Sequence, residues 1–205
     1  MTGATIRLLL ADDQALVRGA LAALLDLEPD LEVVAEVASG AEVVPAAREH
    51  RPDVALLDVE MPGLDGIEAT RALKQALPET RVLIVTTFGR PGFLRRALQA
   101  GADGFLVKDT PARQLADAVR RVHSGLRVVD PVLAADSLVA GESPLTGRES
   151  DVLRAARDGA SVATIAGRLF LSEGTVRNHL SSAIGKTGSS NRAEAVRVAD
   201  QNGWL

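Results

Sequence analysis

The stretch Ile6-Arg7-Leu8-Leu9-Leu10-Ala11-Asp12-Asp13 decides the reading of the chain: an apolar run of strand length that stops at two consecutive carboxylates. From Leu8 onward both odd and even positions are apolar, so a strand here is covered on both faces, as in a parallel sheet between helices. The segment that follows, Gln14–Leu27, has helical spacing through Leu16, Ala20, Leu21, Leu24 and Leu25. The same couplet recurs along the chain. Strand-like Leu31–Val37 precedes helical Ala41–His50, Val54–Leu57 precedes Leu64–Leu77, Val82–Val85 precedes Gly92–Ala100, and Gly104–Val107 precedes Ala112–His123. Five such couplets predict an α/β domain with a doubly wound, five-stranded parallel sheet. Its functional site then belongs at the carboxyl ends of the strands.

Polar residues stand at those ends. Asp12 and Asp13 follow the first strand, Asp58 the third and Lys108 the fifth, while Thr86 closes the fourth. One Asp after a strand is ordinarily a turn residue or a helix cap. Three carboxylates and an ammonium converging on one edge need another explanation. Carboxylates a few ångströms apart repel and take up protons unless a cation compensates. A hard divalent ion with oxygen ligands does this, and Mg²⁺ suits a small cage that keeps its waters and contacts a phosphoryl oxygen. Asp12, Asp13 and Asp58 are the expected metal ligands, with the backbone carbonyl of Glu60 as a further one. The second oxygen of Asp58 is left as a nucleophile. Phosphoryl transfer to it needs positive charge around the equatorial oxygens, which Mg²⁺ and Lys108 supply, and the Thr86 hydroxyl can donate to the incoming group. A haloacid-dehalogenase-like phosphatase fits less well, because it needs an Asp two residues after its nucleophile and Glu60 stands there. No Gly follows the first strand until Gly19, so no phosphate-cradling nucleotide loop is expected.

Composition narrows the rest. The 205 residues are 46% hydrophobic but only 2% aromatic, which predicts a folded aliphatic core and leaves no stacking platform for single strands. The absence of Cys excludes disulfides, thiolate metal sites and thiol catalysis. No apolar run approaches the ~20 residues that span a bilayer, and the amino terminus lacks signal-peptide character. The expected location is cytoplasmic, without membrane insertion. The net charge of -4 is uneven: from Pro144 onward there are 8 Lys/Arg against 6 Asp/Glu, and before it 15 against 21. A cationic module on an acidic body points to an anionic partner for the carboxyl-terminal part.

Residues 125–143 break the rhythm with Gly125, Pro131, Ser137, Gly141 and Ser143 and read as a linker carrying a short helix at Pro131–Leu138. Beyond it the period is wholly helical. Thr146 and Glu149 form a capping box with Leu145 as its staple, Val162–Phe170 is a second short helix, Ser172 caps Glu173–Lys186, and Asn191 caps Arg192–Gln201. An all-α four-helix module containing a helix-turn-helix results. Its third helix, ~21 Å long, turns Val176, Leu180 and Ile184 to the core and leaves Thr175, Arg177, Asn178, Ser181 and Ser182 for a DNA groove.

Two resemblances accompany this reading. Asp12-Asp13, the run Leu56-Leu57-Asp58-Val59-Glu60-Met61-Pro62-Gly63-Leu64-Asp65-Gly66, Thr86-Thr87, and Gly104-Phe105-Leu106-Val107-Lys108 make residues 5–124 resemble the flavodoxin-like receiver domain of two-component response regulators. The resemblance implies that Asp58 is the phosphoacceptor for a sensor histidine kinase, Thr86 the switch hydroxyl and Phe105 the switch aromatic. Asp109 departs from many receivers, where Pro follows the lysine. Leu145-Thr146-Gly147-Arg148-Glu149, Leu171-Ser172-Glu173-Gly174-Thr175-Val176-Arg177-Asn178-His179-Leu180, Lys186 and Asn191-Arg192 resemble the LuxR-type helix-turn-helix domain. That implies DNA-facing Thr175, Arg177, Asn178 and Ser181, with Lys186 and Arg192 near the DNA backbone. The implied organisation is a receiver at 1–124, a linker at 125–143 and a DNA-binding domain at 144–205. Phosphorylation is then expected to drive homodimerisation through Gln14–Leu27 and Ala112–His123, binding of double-stranded promoter DNA, and engagement of RNA polymerase. The run Thr86–Phe93 and the final Gly203-Trp204 are similar to the subgroup that regulates a membrane fatty-acid desaturase.

Overall fold

The computed structural model describes residues 5–87, 91–139 and 143–205. The run Thr86–Phe93 quoted above is therefore only partly covered, since residues 88–90 lie outside the described residues. The chain divides into two units whose main boundary falls between Ala134 and Ala135. In the first, strands β1 (Ile6–Ala11), β2 (Leu31–Val37), β3 (Val54–Leu57), β4 (Arg81–Thr86) and β5 (Gly104–Val107) alternate with helices α1 (Ala15–Leu25), α2 (Gly40–His50), α3 (Gly66–Ala76), α4 (Pro91–Ala100) and α5 (Ala112–His123). The sheet has a sixth member, β6 (Val128–Val129), where the sequence predicts five. Its two residues pair with Gly104 and Phe105. A two-residue strand between Gly125 and Pro131 carries too short an apolar run to register in periodicity.

All pairings are parallel and the order is β2-β1-β3-β4-β5-β6. Because strand side chains alternate, the sheet builds two cores. Leu9, Ala55, Leu57, Val82, Ile84 and Phe105 face the side covered by α2, α3 and α4. Leu8, Leu10, Leu56, Leu83, Val85 and Leu106 face the side covered by α1 and α5. The continuous apolar runs of the sequence are explained by this double coverage.

Gly66, the first residue of α3, fixes one side of the strand-end region. A Cβ there would lie 1.8 Å from the carbonyl oxygen of Asp58, so the helix approaches the end of β3 only because position 66 has no side chain. Asp65 caps the same helix through a complete capping box with Glu68.

The second unit carries α7 (Gly147–Ala155), α8 (Val162–Leu169), α9 (Glu173–Lys186) and α10 (Arg192–Gln201), preceded by α6 (Pro131–Val139). The Thr146–Glu149 capping box forms on α7, and Ser161, Ser172 and Asn191 each accept a backbone N–H at the start of the next three helices. Val152, Leu153, Ile165, Val176, Leu180, Ala183, Ala195 and Ala199 close its core. α9 runs through Gly185 without a break.

Candidate functional site

The ends of β1, β3 and β5 bring three distant parts of the sequence together. Backbone bonds fix their spacing: the Asp58 N–H donates to the Ala11 carbonyl (2.9 Å), and the Lys108 N–H to the Thr86 carbonyl (2.8 Å). Carboxylate oxygens of Asp12, Asp13 and Asp58 lie within 4.8 Å of one another. Asp12 and Asp58 are buried, while Asp13 and Glu60 are exposed at the rim. Lys108 Nζ bridges the two buried acids, 2.7 Å from Asp12 Oδ2 and 2.8 Å from Asp58 Oδ2.

This leaves the other oxygen of Asp58 without compensation. Asp58 Oδ1 is buried and takes no hydrogen bond among the described residues. Burial pushes the Asp58 carboxyl above the usual carboxylate range, against the pull of the Lys108 ammonium, and the charge of Asp12 adds to the rise. Burial also works against the charge on Lys108, but Asp12 and Asp58 outweigh it and hold the ammonium above its ordinary value. A buried acceptor oxygen with a neighbouring carboxylate and a rim carboxylate is a donor set that fits a hard divalent cation.

Thr86 is wholly buried at the end of β4, and Phe105 is wholly buried on β5 opposite Ile84. Phe105 belongs to the core between the sheet and α2–α4.

In the second unit, α9 presents Arg177, Asn178 and Ser181 to solvent and half-buries Thr175. Arg177 pairs with Glu173 one turn earlier on the exposed face (2.5 Å). Several of the expected DNA contacts have partners within their own domain. Lys186 Nζ lies 2.7 Å from Glu149 Oε2, and Ser182, read as a groove residue, donates its hydroxyl to Glu149 Oε1 at 2.7 Å. Arg192 donates to the Ala160 carbonyl at 2.7 Å.

Residues 8–120 match the response regulator receiver domain, and residues 143–199 match the bacterial regulatory proteins of the luxR family. The chain is a response regulator of this two-domain family. It is 42% identical over 200 residues to the uncharacterized transcriptional regulatory protein YvfU of Bacillus subtilis (98% of this chain, 100% of the relative). It is 41% identical over 200 residues to the transcriptional regulatory protein DesR of the same organism (98% and 99%). Among solved structures, the response regulator ChrA of a heme-sensing two-component system matches with a TM-score of 0.60 at 36% identity, covering 99% of this chain and 100% of that one. The acidic cluster thus lies in the receiver of this response regulator, and α9 in its LuxR-type DNA-binding domain. No described helix is long and apolar enough to cross a membrane.

Two groups at these sites were not read from sequence. Arg18 on α1 of the receiver places Nη1 2.5 Å from the Asp12 carbonyl oxygen and Nε 3.5 Å from Glu36. It is the one charged residue in Ala15–Leu25, which is the signal that could have marked it. Glu149 was read only as a cap, yet it also receives Ser182 and Lys186 from α9. Burial alone would raise this carboxyl; Lys186, Ser182 and Thr146 overcome that and hold it at about 2.

Proposed function

We propose that this response regulator is phosphorylated on Asp58 by a sensor histidine kinase and that the phosphorylated chain dimerises and binds promoter DNA. The observation that carries the reading is the buried, uncompensated Oδ1 of Asp58 beside Asp12 and Asp13, with Lys108 gripping the opposite oxygen. Asp12, Asp13, Asp58 and the Glu60 carbonyl are the groups to hold Mg²⁺, which when bound supplies charge neutralisation for phosphoryl transfer to a carboxylate. Asp58 presents the nucleophilic oxygen, and Lys108 neutralises the equatorial oxygens of the arriving group. Thr86, buried at the adjacent strand end, donates its hydroxyl to the phosphoryl group, and Phe105 repacks in the space this opens.

The added charge of about -1.5 to -2 biases a two-state rearrangement of the receiver. Leu16 on α1 is 86% exposed and Leu24 on the same helix is also exposed, which supports a self-complementary face formed by α1 and α5. Pairing there doubles the DNA-binding domain, so that two copies of α9 reach two half-sites. Thr175, Arg177, Asn178 and Ser181 read the groove, and Lys186 and Arg192 steady the backbone contact from their internal partners. RNA polymerase is the onward partner, and the cytoplasm is the location consistent with kinase, promoter and polymerase.

The test is treatment with acyl phosphate and Mg²⁺, read by intact mass, sedimentation and binding to promoter fragments. The wild type gains one phosphoryl group, a larger dimer fraction and tighter DNA binding. An equal response from Asp58→Ala would overturn the assignment.

A further inference from the structure

Phe170 has two features that oppose each other's usual explanation. Its backbone is left-handed, φ 55° and ψ 44°, at the carboxyl end of α8. That conformation closes the turn, allowing the Leu171 N–H to reach the Ala166 carbonyl at 2.9 Å. Gly or Asn adopts it at little cost, whereas a bulky L-residue is disfavoured. Strain of this kind is tolerated in cores where the side chain gains packing. Here the ring gains none: Phe170 is 96% exposed, while its neighbours Leu169 and Leu171 pack on the core. A strained aromatic left in water marks a contact made with something else.

Its place on the fold says with what. Two residues on, Ser172 caps α9, so Phe170 lies in the turn that leads into the amino-terminal end of that helix. In helix-turn-helix proteins this end of the second helix reaches the base edges. The first turn of α9 is open at Gly174, where an added Cβ would meet only Ser172 Oγ, at 3.8 Å. In the major groove the apolar group available to an aromatic ring is the C5-methyl of thymine. Building on the DNA-binding reading above, we infer that Phe170 is a specificity-determining residue that packs its ring on a thymine methyl at the edge of the α9 contact. The contact is apolar, so it selects sequence without releasing counterions.

The experiment uses the full-length, phosphorylated chain and a duplex enriched from a random library by the wild type. Phe170→Ala binds that duplex about tenfold more weakly, with the dependence of affinity on salt unchanged. Arg177→Ala instead reduces the salt slope by about 1. Replacing thymine by deoxyuridine at the contacted position weakens the wild type and leaves Phe170→Ala unaffected. Phe170→Gly relieves the backbone, so its melting temperature rises while DNA binding weakens as in the Ala variant. The inference is overturned if Phe170→Ala binds like wild type, if deoxyuridine weakens both proteins equally, or if the substitution alters only dimerisation without DNA. A wild type that enriches no duplex at all removes the DNA-binding reading, and this inference with it.

Discussion

Lys108 Nζ lies 2.8 Å from Asp58 Oδ2, across 50 residues of sequence, and both side chains are almost wholly withdrawn from solvent. The same ammonium touches Asp12, so one cation balances two buried carboxylates. Removing one partner of a buried pair leaves the rest uncompensated, which costs about 3–5 kcal/mol where the geometry is tight. Lys108→Met is therefore expected to lower the urea midpoint without Mg²⁺, and to recover more stability than the wild type when Mg²⁺ is added. A variant with the wild-type midpoint and the wild-type Mg²⁺ increment would show that the pair does not control the charge balance of the site.

Gly66 and Gly167 make a paired test of why glycine is where it is. At Gly66 a methyl group would meet the backbone of Asp58, an atom that cannot swing aside, so Gly66→Ala is expected to destabilise by about 1–3 kcal/mol and to slow phosphorylation by displacing Asp58. At Gly167, inside α8, nothing lies within 4 Å, and Gly167→Ala is expected to stabilise by up to about 1 kcal/mol through helix propensity. Thermal melts of both variants decide it; a stabilised Gly66→Ala would contradict the close approach of α3.

Legibility in the sequence followed the range of the interaction. Continuous apolar runs announced a sheet buried on both faces, and the helix caps at Thr146, Ser172 and Asn191 were local enough to place α7, α9 and α10. The acidic cluster was readable because strand ends in a parallel sheet converge whatever the loops do. β6 was not, since two residues hold their place only through pairing with Gly104 and Phe105. Nor was the second role of Glu149, because its bonds to Ser182 and Lys186 span more than thirty residues and no periodicity encodes them. Arg18 escaped for a different reason: its lone charge in an apolar helix marks the residue, but its partner is a backbone carbonyl, which no residue type announces.

Glu149 gives the second unit an acid-labile link. The carboxyl is 4% exposed and held at about 2, below the ordinary value of 4.5. A depressed carboxyl stabilises the fold fully above its unfolded pKa and loses that contribution as pH falls toward the folded one. The window therefore opens near pH 4.5 and closes near pH 2. Glu149→Gln is expected to be less stable than wild type at pH 7 and to converge with it as pH falls through that window. Parallel curves, with a constant gap between the two proteins from pH 6 to pH 2, would place the loss in packing instead.

On the proposed function, Thr86 separates the chemistry of phosphorylation from its consequence. Its side chain is wholly buried at the end of β4, one strand over from Asp58, and its carbonyl fixes the backbone of Lys108. Valine keeps the branched shape and removes only the hydroxyl, so Thr86→Val leaves Asp58, Lys108 and the acidic cluster in place. Accordingly, acyl phosphate and Mg²⁺ are expected to add a phosphoryl group to Thr86→Val as they do to the wild type. What should fail is the response, because no hydroxyl is left to bond the new oxygens and Phe105 is given no space to repack. Sedimentation then shows no gain in dimer, and DNA affinity stays at its unphosphorylated level, while Thr86→Ser, which keeps the donor, responds. If Thr86→Val dimerised and bound DNA like the wild type, the rearrangement would have to start from a group other than this hydroxyl. If it took up no phosphoryl group, Thr86 would act in the transfer step itself.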